Sequence, residues 1–325
     1  MNSAISRRTF LGGAVASVAA AGASTQSLPT RTLGRTGATP TILALGCGSR
    51  LLSYGDQDRA VETIEMALDS GVAYLDTAQG YGNGRSETWV GAVMKNRRDG
   101  IFLATKTQAR TYDDVLSRMD ESLKRLNVDH VDLLHLHSLQ GENDLAAVEK
   151  ERVMEALYRV RDEKMARFIG ITSHTDPEVL AEALERYDVD CTQMALNAAL
   201  QGMQNGQGKM VINPSMPTAF EEVALPVARK KNLGVIAMKV FGQEDLVPAG
   251  SESDHPKRLL RYSLSLPGVA VAVVGCPEHE HLRQNVATAR AFEPMPKQEM
   301  ERFSKEIAER YKVALDRKFQ DHIDA

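Results

Sequence analysis

The feature that most restricts this chain is an alternation of eight short, predominantly apolar runs with stretches of helical periodicity. The runs are Ile42–Leu45, Ala73–Leu75, Ile101–Thr105, Val131–Leu136, Phe168–Ile171, Cys191–Ala195, Val235–Met238 and Ala270–Val274. A strand covered on both faces needs no polar alternation, so such runs read as buried parallel strands. Between the first two, Ala60, Val61, Ile64, Ala67 and Leu68 repeat at helical spacing, and Val115, Met119, Ser122, Leu123 and Leu126 do so between the third and fourth. Asp176-Pro177 supplies an N-cap followed by proline at the first helical position. Gly71, Gly100 and Gly234 stand where a helix gives way to a strand. Eight strand-then-helix units without a composition break predict one domain, a closed (β/α)8 (TIM) barrel.

Three segments lie outside the repeat. Residues 29–41, with Gly34 and Gly37, read as an N-terminal hairpin, and Gln298–Ala314 as an extra C-terminal helix over the barrel. Residues 197–218, rich in Gly, Gln, Asn and Pro, read as a long loop after the sixth strand.

The N-terminus carries a different message. Ser6-Arg7-Arg8-Thr9-Phe10-Leu11 is a twin-arginine pattern, followed by the small apolar run Gly12–Ala23 with Ala21-Gly22-Ala23 as a cleavage site. About a dozen residues are too few to span a bilayer as a helix. Residues 1–23 are thus expected to be a signal peptide read by the twin-arginine export machinery, leaving 24–325 as the barrel domain, periplasmic or otherwise extracytoplasmic. A net charge of −4 without a basic stripe argues against nucleic acid as a partner. Cys47, Cys191 and Cys276 are odd in number, far apart and without metal-site spacing, so neither a disulfide framework nor a metal is expected. A monomer is the default expectation.

In a barrel the reaction face lies at the C-terminal ends of the strands. Those ends carry Asp76, Lys106 and His137, with Tyr81 in the loop after the second strand. Four titratable groups thus converge on one mouth. Carbonyl reduction delivers hydride to carbon and a proton to oxygen. A tyrosine with its ordinary pKa near 10 is a sluggish acid–base group at neutral pH, and an adjacent ammonium would lower that value. A carboxylate beside the ammonium holds it in place, and a neutral imidazole donates to the substrate oxygen. Tyr81 would then be the proton donor or acceptor, Lys106 its tuner, Asp76 the anchor and His137 the orienter.

Leu75-Asp76-Thr77-Ala78-Gln79-Gly80-Tyr81-Gly82 with Ser86-Glu87, Ala104-Thr105-Lys106, and Asp132-Leu133-Leu134-His135-Leu136-His137 resemble, in order, the motifs of the aldo-keto reductase superfamily. The resemblance runs from Leu33-Gly34-Arg35-Thr36-Gly37 through Asn285. It implies hydride transfer between NADP or NAD and a small carbonyl or alcohol substrate, with the cofactor extended across the barrel mouth. It further implies that Ser173 and Gln193 hold the nicotinamide carboxamide, that Lys239, Phe241 and Gly242 lie in the loop beside the pyrophosphate, and that Gln284 and Asn285 meet the adenine. The chain departs from the family pattern at His174, where asparagine is usual, and at Met238, where an aromatic stacks on nicotinamide. The clamp for the adenosine 2′-phosphate falls on Gly275, Cys276 and His281, with Arg283 nearby, which weakens the expected NADP preference and makes NAD plausible.

Two other readings compete. One is a non-catalytic nicotinamide-binding barrel serving as sensor or partner subunit. The other is a metal-dependent hydrolase built on His135-x-His137, which leaves Lys106 and Tyr81 unexplained. Substrate choice is expected to lie with Arg50, Leu51, Tyr54 and residues 197–218.

Overall fold

A computed structural model describes residues 27–206, 209–213, 216–247 and 254–320. The expected signal peptide falls outside these. The elements run β1 (Leu43–Gly46), α1 (Ser49–Leu52), α2 (Gln57–Asp69), β2 (Tyr74–Asp76), α3 (Arg85–Met94), β3 (Phe102–Thr107), α4 (Tyr112–Leu126), β4 (Val131–Leu136), α5 (Glu142–Lys150), α6 (Val153–Asp162) and β5 (Ala166–Ser173). They continue with α7 (Pro177–Arg186), β6 (Cys191–Ala195), β7 (Met203–Gly206), β8 (Lys209–Ile212), α8 (Ala224–Lys230), β9 (Gly234–Met238), α9 (His255–Ser265), β10 (Val269–Val274), α10 (His279–Arg290) and α11 (Lys297–Gln320).

Eight of these strands, all parallel, close a barrel in the order β1-β10-β9-β6-β5-β4-β3-β2. Each expected apolar run is a barrel strand, and the fold is the (β/α)8 barrel that the alternation predicts. The helices follow from local chemistry: the side chains of Asp56, Thr111 and Asp176 accept hydrogen bonds from the backbone N–H groups of Arg59, Asp114 and Val179, capping α2, α4 and α7. Their apolar stripes pack on the outer barrel surface, where one continuous core includes Ile64, Met119, Leu180 and Leu259.

The barrel interior is a second, smaller core of Ala44, Tyr74, Phe102, Ala104, Leu133, Ile236 and Val271, sealed at the bottom by Leu33. Leu33 is fully buried, and a Cβ at Gly234 would lie 2.6 Å from its Cγ. Its neighbour Gly34 has φ +50, and a Cβ there would come within 2.3 Å of the Leu233 carbonyl carbon. The plug therefore needs glycine at both points of close approach.

The N-terminal hairpin is slighter than expected: Thr30 and Thr41 form a single antiparallel bridge around a short 3-10 turn at Gly34–Thr36. Residues 197–218 are not a plain loop. They contain the antiparallel ribbon β7–β8, in which Met203 pairs with Ile212. The ribbon is seated by Met203 N–H donating to the His174 carbonyl at 2.7 Å. The extra terminal helix is present as α11 and buries Phe303 and Ile307.

Candidate active site

β2, β3 and β4 are neighbours in the barrel, with Asp76 opposite Ala104 and Lys106 opposite His135. That register brings the strand ends together under one cleft of about 480 Å³ at the barrel mouth. Asp76, Tyr81 and His137 line the cleft. Lys106, almost wholly buried, reaches up from β3, pairs with the Asp76 carboxylate and donates to the Thr77 carbonyl at 2.8 Å. Its ammonium lies 5.2 Å from the centre of the Tyr81 ring. The His137 ring meets the Tyr81 ring edge-on at 5.6 Å between centroids, and His174 packs on its other side at 5.9 Å.

The glycines of the mouth keep this arrangement open. Gly46, Gly48 and Gly275 line the cleft, and a Cβ at Gly48 would sit 3.3 Å from the Tyr81 ring. Beneath the motif, Glu87 is completely buried and accepts hydrogen bonds from Thr105 Oγ1 at 2.6 Å and Arg125 Nε at 2.7 Å, which offset its desolvation. Ser86 Oγ bonds Thr77 Oγ1 at 2.7 Å and the Cys47 carbonyl, fixing the chain between Asp76 and Tyr81.

The electrostatics correct one expectation. Burial is the largest influence on Tyr81 and raises its pKa; Lys106 pulls it down but does not prevail. The phenol is therefore protonated at neutral pH. Burial works against the charge on Lys106, yet Asp76 and then Tyr81 more than compensate and hold it as an ammonium. His137 is driven well below the usual histidine range by burial first, then by Lys106, Lys239 and Arg110, so its ring is neutral. Lys239 is lowered to about 8 by burial and by Lys106, partly opposed by Asp76.

Of the residues expected to hold a cofactor, Gln193, Lys239 and Phe241 line the cleft. Ser173 does not: its hydroxyl donates to the Leu139 carbonyl at 2.8 Å and accepts from the Thr175 and Asp176 amides, so it is spent on the turn after β5. Gly242 sits behind the wall, where a Cβ would strike Ile212. Gln284 is exposed and bonded to Glu280 at 3.2 Å, while Asn285 is buried against Cys276; neither borders the cleft. Arg50 lines the mouth, donating to the Gln243 carbonyl at 3.0 Å, whereas Leu51 and Tyr54 are buried. Residues that sequence reasoning passed over are Gln108, Ser138, Gln140 and Gln243, polar side chains of the cleft that belong to no motif. Among the described residues no three His, Cys, Asp or Glu side chains gather as metal ligands, and His135 lies a layer deeper, fully buried.

The aldo/keto reductase family profile matches residues 44–259. The chain belongs to the aldo/keto reductase family. It is thereby an NAD(P)-dependent oxidoreductase of carbonyl compounds. This aldo/keto reductase is 27% identical over 277 residues to an uncharacterised oxidoreductase, YqkF, of Bacillus subtilis, covering 77% of this chain and 87% of that one. It is 25% identical over 301 residues to L-galactose dehydrogenase of Arabidopsis thaliana, covering 82% and 89%. An aldo-keto reductase from Klebsiella pneumoniae, solved in complex with NADPH, shares the fold with a TM-score of 0.68 at 22% identity, over 86% of this chain and 95% of that one. No helix among the described residues is long and apolar enough to cross a membrane.

Proposed function

We propose that this aldo/keto reductase reduces the carbonyl of a hydroxylated aldehyde such as an aldose, or oxidises the corresponding alcohol, with Tyr81 as the acid–base group. The observation that carries this reading is the convergence of Tyr81, the buried Lys106–Asp76 pair and a neutral His137 in one cleft. The cleft suits a nicotinamide cofactor: its glycines leave room beside Tyr81, and the buried Gln193 Oε1 and His174 Nδ1 have no hydrogen-bond partner among the described residues. Gln193 and His174 would meet the carboxamide, and Lys239 and Phe241 would flank the phosphates. Bound there, the cofactor supplies or accepts the hydride.

The protein's own part is then proton chemistry. In the reducing direction protonated Tyr81 gives its proton to the substrate oxygen, and Lys106 stabilises the phenolate that results. Neutral His137 donates a hydrogen bond to the same oxygen and sets its direction. The preference for a hydroxylated substrate rests on the rim of Gln108, Ser138, Gln140 and Gln243, and agrees with the L-galactose dehydrogenase relative.

For the cofactor we favour NAD over NADP. Glu278 stands at the start of α10 without a side-chain capping bond and Glu280 follows in its first turn, while Arg283, the nearest cation of the expected clamp, is paired with Glu280 at 2.9 Å. Acidic charge there repels a further phosphate. Following reduced-nicotinamide absorbance with NADH and NADPH against a panel of aldoses and simple aldehydes tests the reading. Turnover with NADH on hydroxylated aldehydes is expected. A strong NADPH preference would sink the cofactor assignment, and inertness toward every carbonyl would sink the activity.

Arg7-Arg8 and the apolar run after them support export of the folded protein, and a monomer is the default state. Cell fractionation should find the protein in the periplasm and its Arg7→Lys/Arg8→Lys variant in the cytoplasm. An unchanged distribution, or a dimer by light scattering, would contradict these two points.

A further inference from the structure

His137 has an unusual anchorage. Its ring is held by packing between Tyr81 and His174, and its buried Nδ1 has no hydrogen-bond partner among the described residues. Metal-free catalytic imidazoles are commonly oriented through the second nitrogen, so here the main chain must set the ring's position. That main chain is pinned from one side by His137 N–H donating to the Thr107 carbonyl at 2.8 Å. From the other side it is pinned by Arg110. Arg110 Nη2 donates to the His137 carbonyl at 2.9 Å and to the Ser138 carbonyl at 3.4 Å. The same guanidinium grips Asp144, in the first turn of α5, through Nε at 2.7 Å and Nη2 at 3.0 Å. Asp144 Oδ2 also accepts from the Gln140 amide at 3.1 Å.

The fork therefore ties the loop after β3, which carries Gln108, to the loop after β4, which carries His137, Ser138 and Gln140. Ser138 sits at φ +57, a conformation that a serine adopts only when its surroundings impose it. We propose that Arg110, oriented by Asp144, is a positioning residue for carbonyl reduction: it fixes the His137–Ser138 main chain and through it the imidazole against Tyr81. The inference rests on the reductase reading for its catalytic consequence, though not for its geometry. A surface ion pair alone would contribute little; here the pair is bidentate, part-buried and shared with two carbonyls of the cleft wall. The charge of Arg110 adds to that of Lys106 and Lys239 in keeping His137 neutral, with His174, His135, Tyr81 and Asp76 as the other titratable groups around it.

The test compares wild type, Arg110→Ala and Asp144→Asn as full chains. In Arg110→Ala, kcat should fall about ten- to hundredfold, as expected for misplacement of a catalytic group by about 1 Å. Affinity for the nicotinamide cofactor should stay within about twofold, because Arg110 does not itself border the cleft. Added guanidinium at tens of millimolar should restore part of the loss, and ammonium of equal ionic strength should not. Independently of turnover, nuclear magnetic resonance of ring-labelled histidines follows His137, identified as the signal missing in His137→Gln. It should show the ring titrating at higher pH in Arg110→Ala than in wild type, whereas Asp144→Asn, which leaves the Arg110 charge uncompensated, should lower kcat by less and should not raise the titration. Wild-type kcat and titration in Arg110→Ala would overturn the proposal. So would a loss of kcat that tracks loss of thermal stability and cofactor affinity while the His137 titration is unchanged. A wild-type protein inert toward every carbonyl and alcohol would overturn the reductase reading, and the nuclear Overhauser contact between the His137 and Tyr81 rings, kept in wild type and lost in Arg110→Ala, then decides the positioning role by itself.

Discussion

Glu221→Gln should make the protein markedly less sensitive to alkaline pH. Glu221 stands before α8 and is mostly sheltered; its Oε2 accepts from the Tyr262 hydroxyl at 3.0 Å, and its buried Oε1 has no partner among the described residues. Burial, with Glu222 adding to it and the Tyr262 bond opposing, pushes its carboxyl from 4.5 up to about 8. A carboxyl whose folded value is raised gives its full contribution below about 4.5, and loses it as pH climbs toward 8, because only the unfolded chain then releases the proton. The full interval corresponds to about 3 kcal/mol by pH 7 and about 4 kcal/mol by pH 8. Solvent reaching the partly exposed side chain reduces this to about 2 kcal/mol. Glutamine mimics the protonated form, so the two proteins should match near pH 5 apart from a constant offset. By pH 8 the variant should have gained about 2 kcal/mol on wild type, or about 3 °C in Tm for a domain of this size. Thermal and urea melts of both proteins at pH 5, 6.5 and 8 measure it. Curves that run parallel across pH would refute the reasoning, since they would mean that Glu221 ionises in the folded state as it does in water.

Two further outcomes concern the cleft. Lys239 carries its proton below about 8 and loses it above, so affinity for an anionic cofactor should fall as pH rises through that value. Calorimetric titration of NADH from pH 6.5 to 9.5 should show this fall in wild type and a flat, weaker profile in Lys239→Met; equal slopes would count against the assignment. Lys106→Met leaves Asp76 buried without its cation, which should cost about 3–5 kcal/mol of stability unless the carboxyl takes up a proton. Denaturation midpoints should therefore recover in the double variant Lys106→Met/Asp76→Asn, and a double variant no more stable than the single would contradict the pairing.

The fold was legible because a doubly covered strand has only one way to look. The runs at residues 131–136 and 191–195 coincide with β4 and β6 to the residue, and the cap at Asp176 announces α7 through a hydrogen bond a few residues long. The ribbon β7–β8 was not legible, since its four-residue strands are too short to show alternation and are seated by a backbone bond to His174. In the site, strand ends located Asp76, Lys106 and His137 because the barrel obliges those positions to share a mouth. A sequence does not say where a side chain's hydrogen bonds go. Hence Ser173, turned toward Leu139, and Arg110, bound to a carboxylate 34 residues away, could only be placed once the loops were folded. The direction of the Tyr81 pKa followed the same rule, because the lysine beside it was visible in the motif and the extent of its burial was not.

The most direct test of the central claim is single-turnover hydride transfer in wild type and Tyr81→Phe, each preloaded with reduced cofactor and mixed with a reactive aldehyde. Loss of nicotinamide absorbance should slow by about 10²–10⁴-fold in the variant while cofactor affinity holds, as removal of a general acid requires. Transfer in Tyr81→Phe at more than about a tenth of the wild-type rate would contradict the account, since the proton would then come from elsewhere.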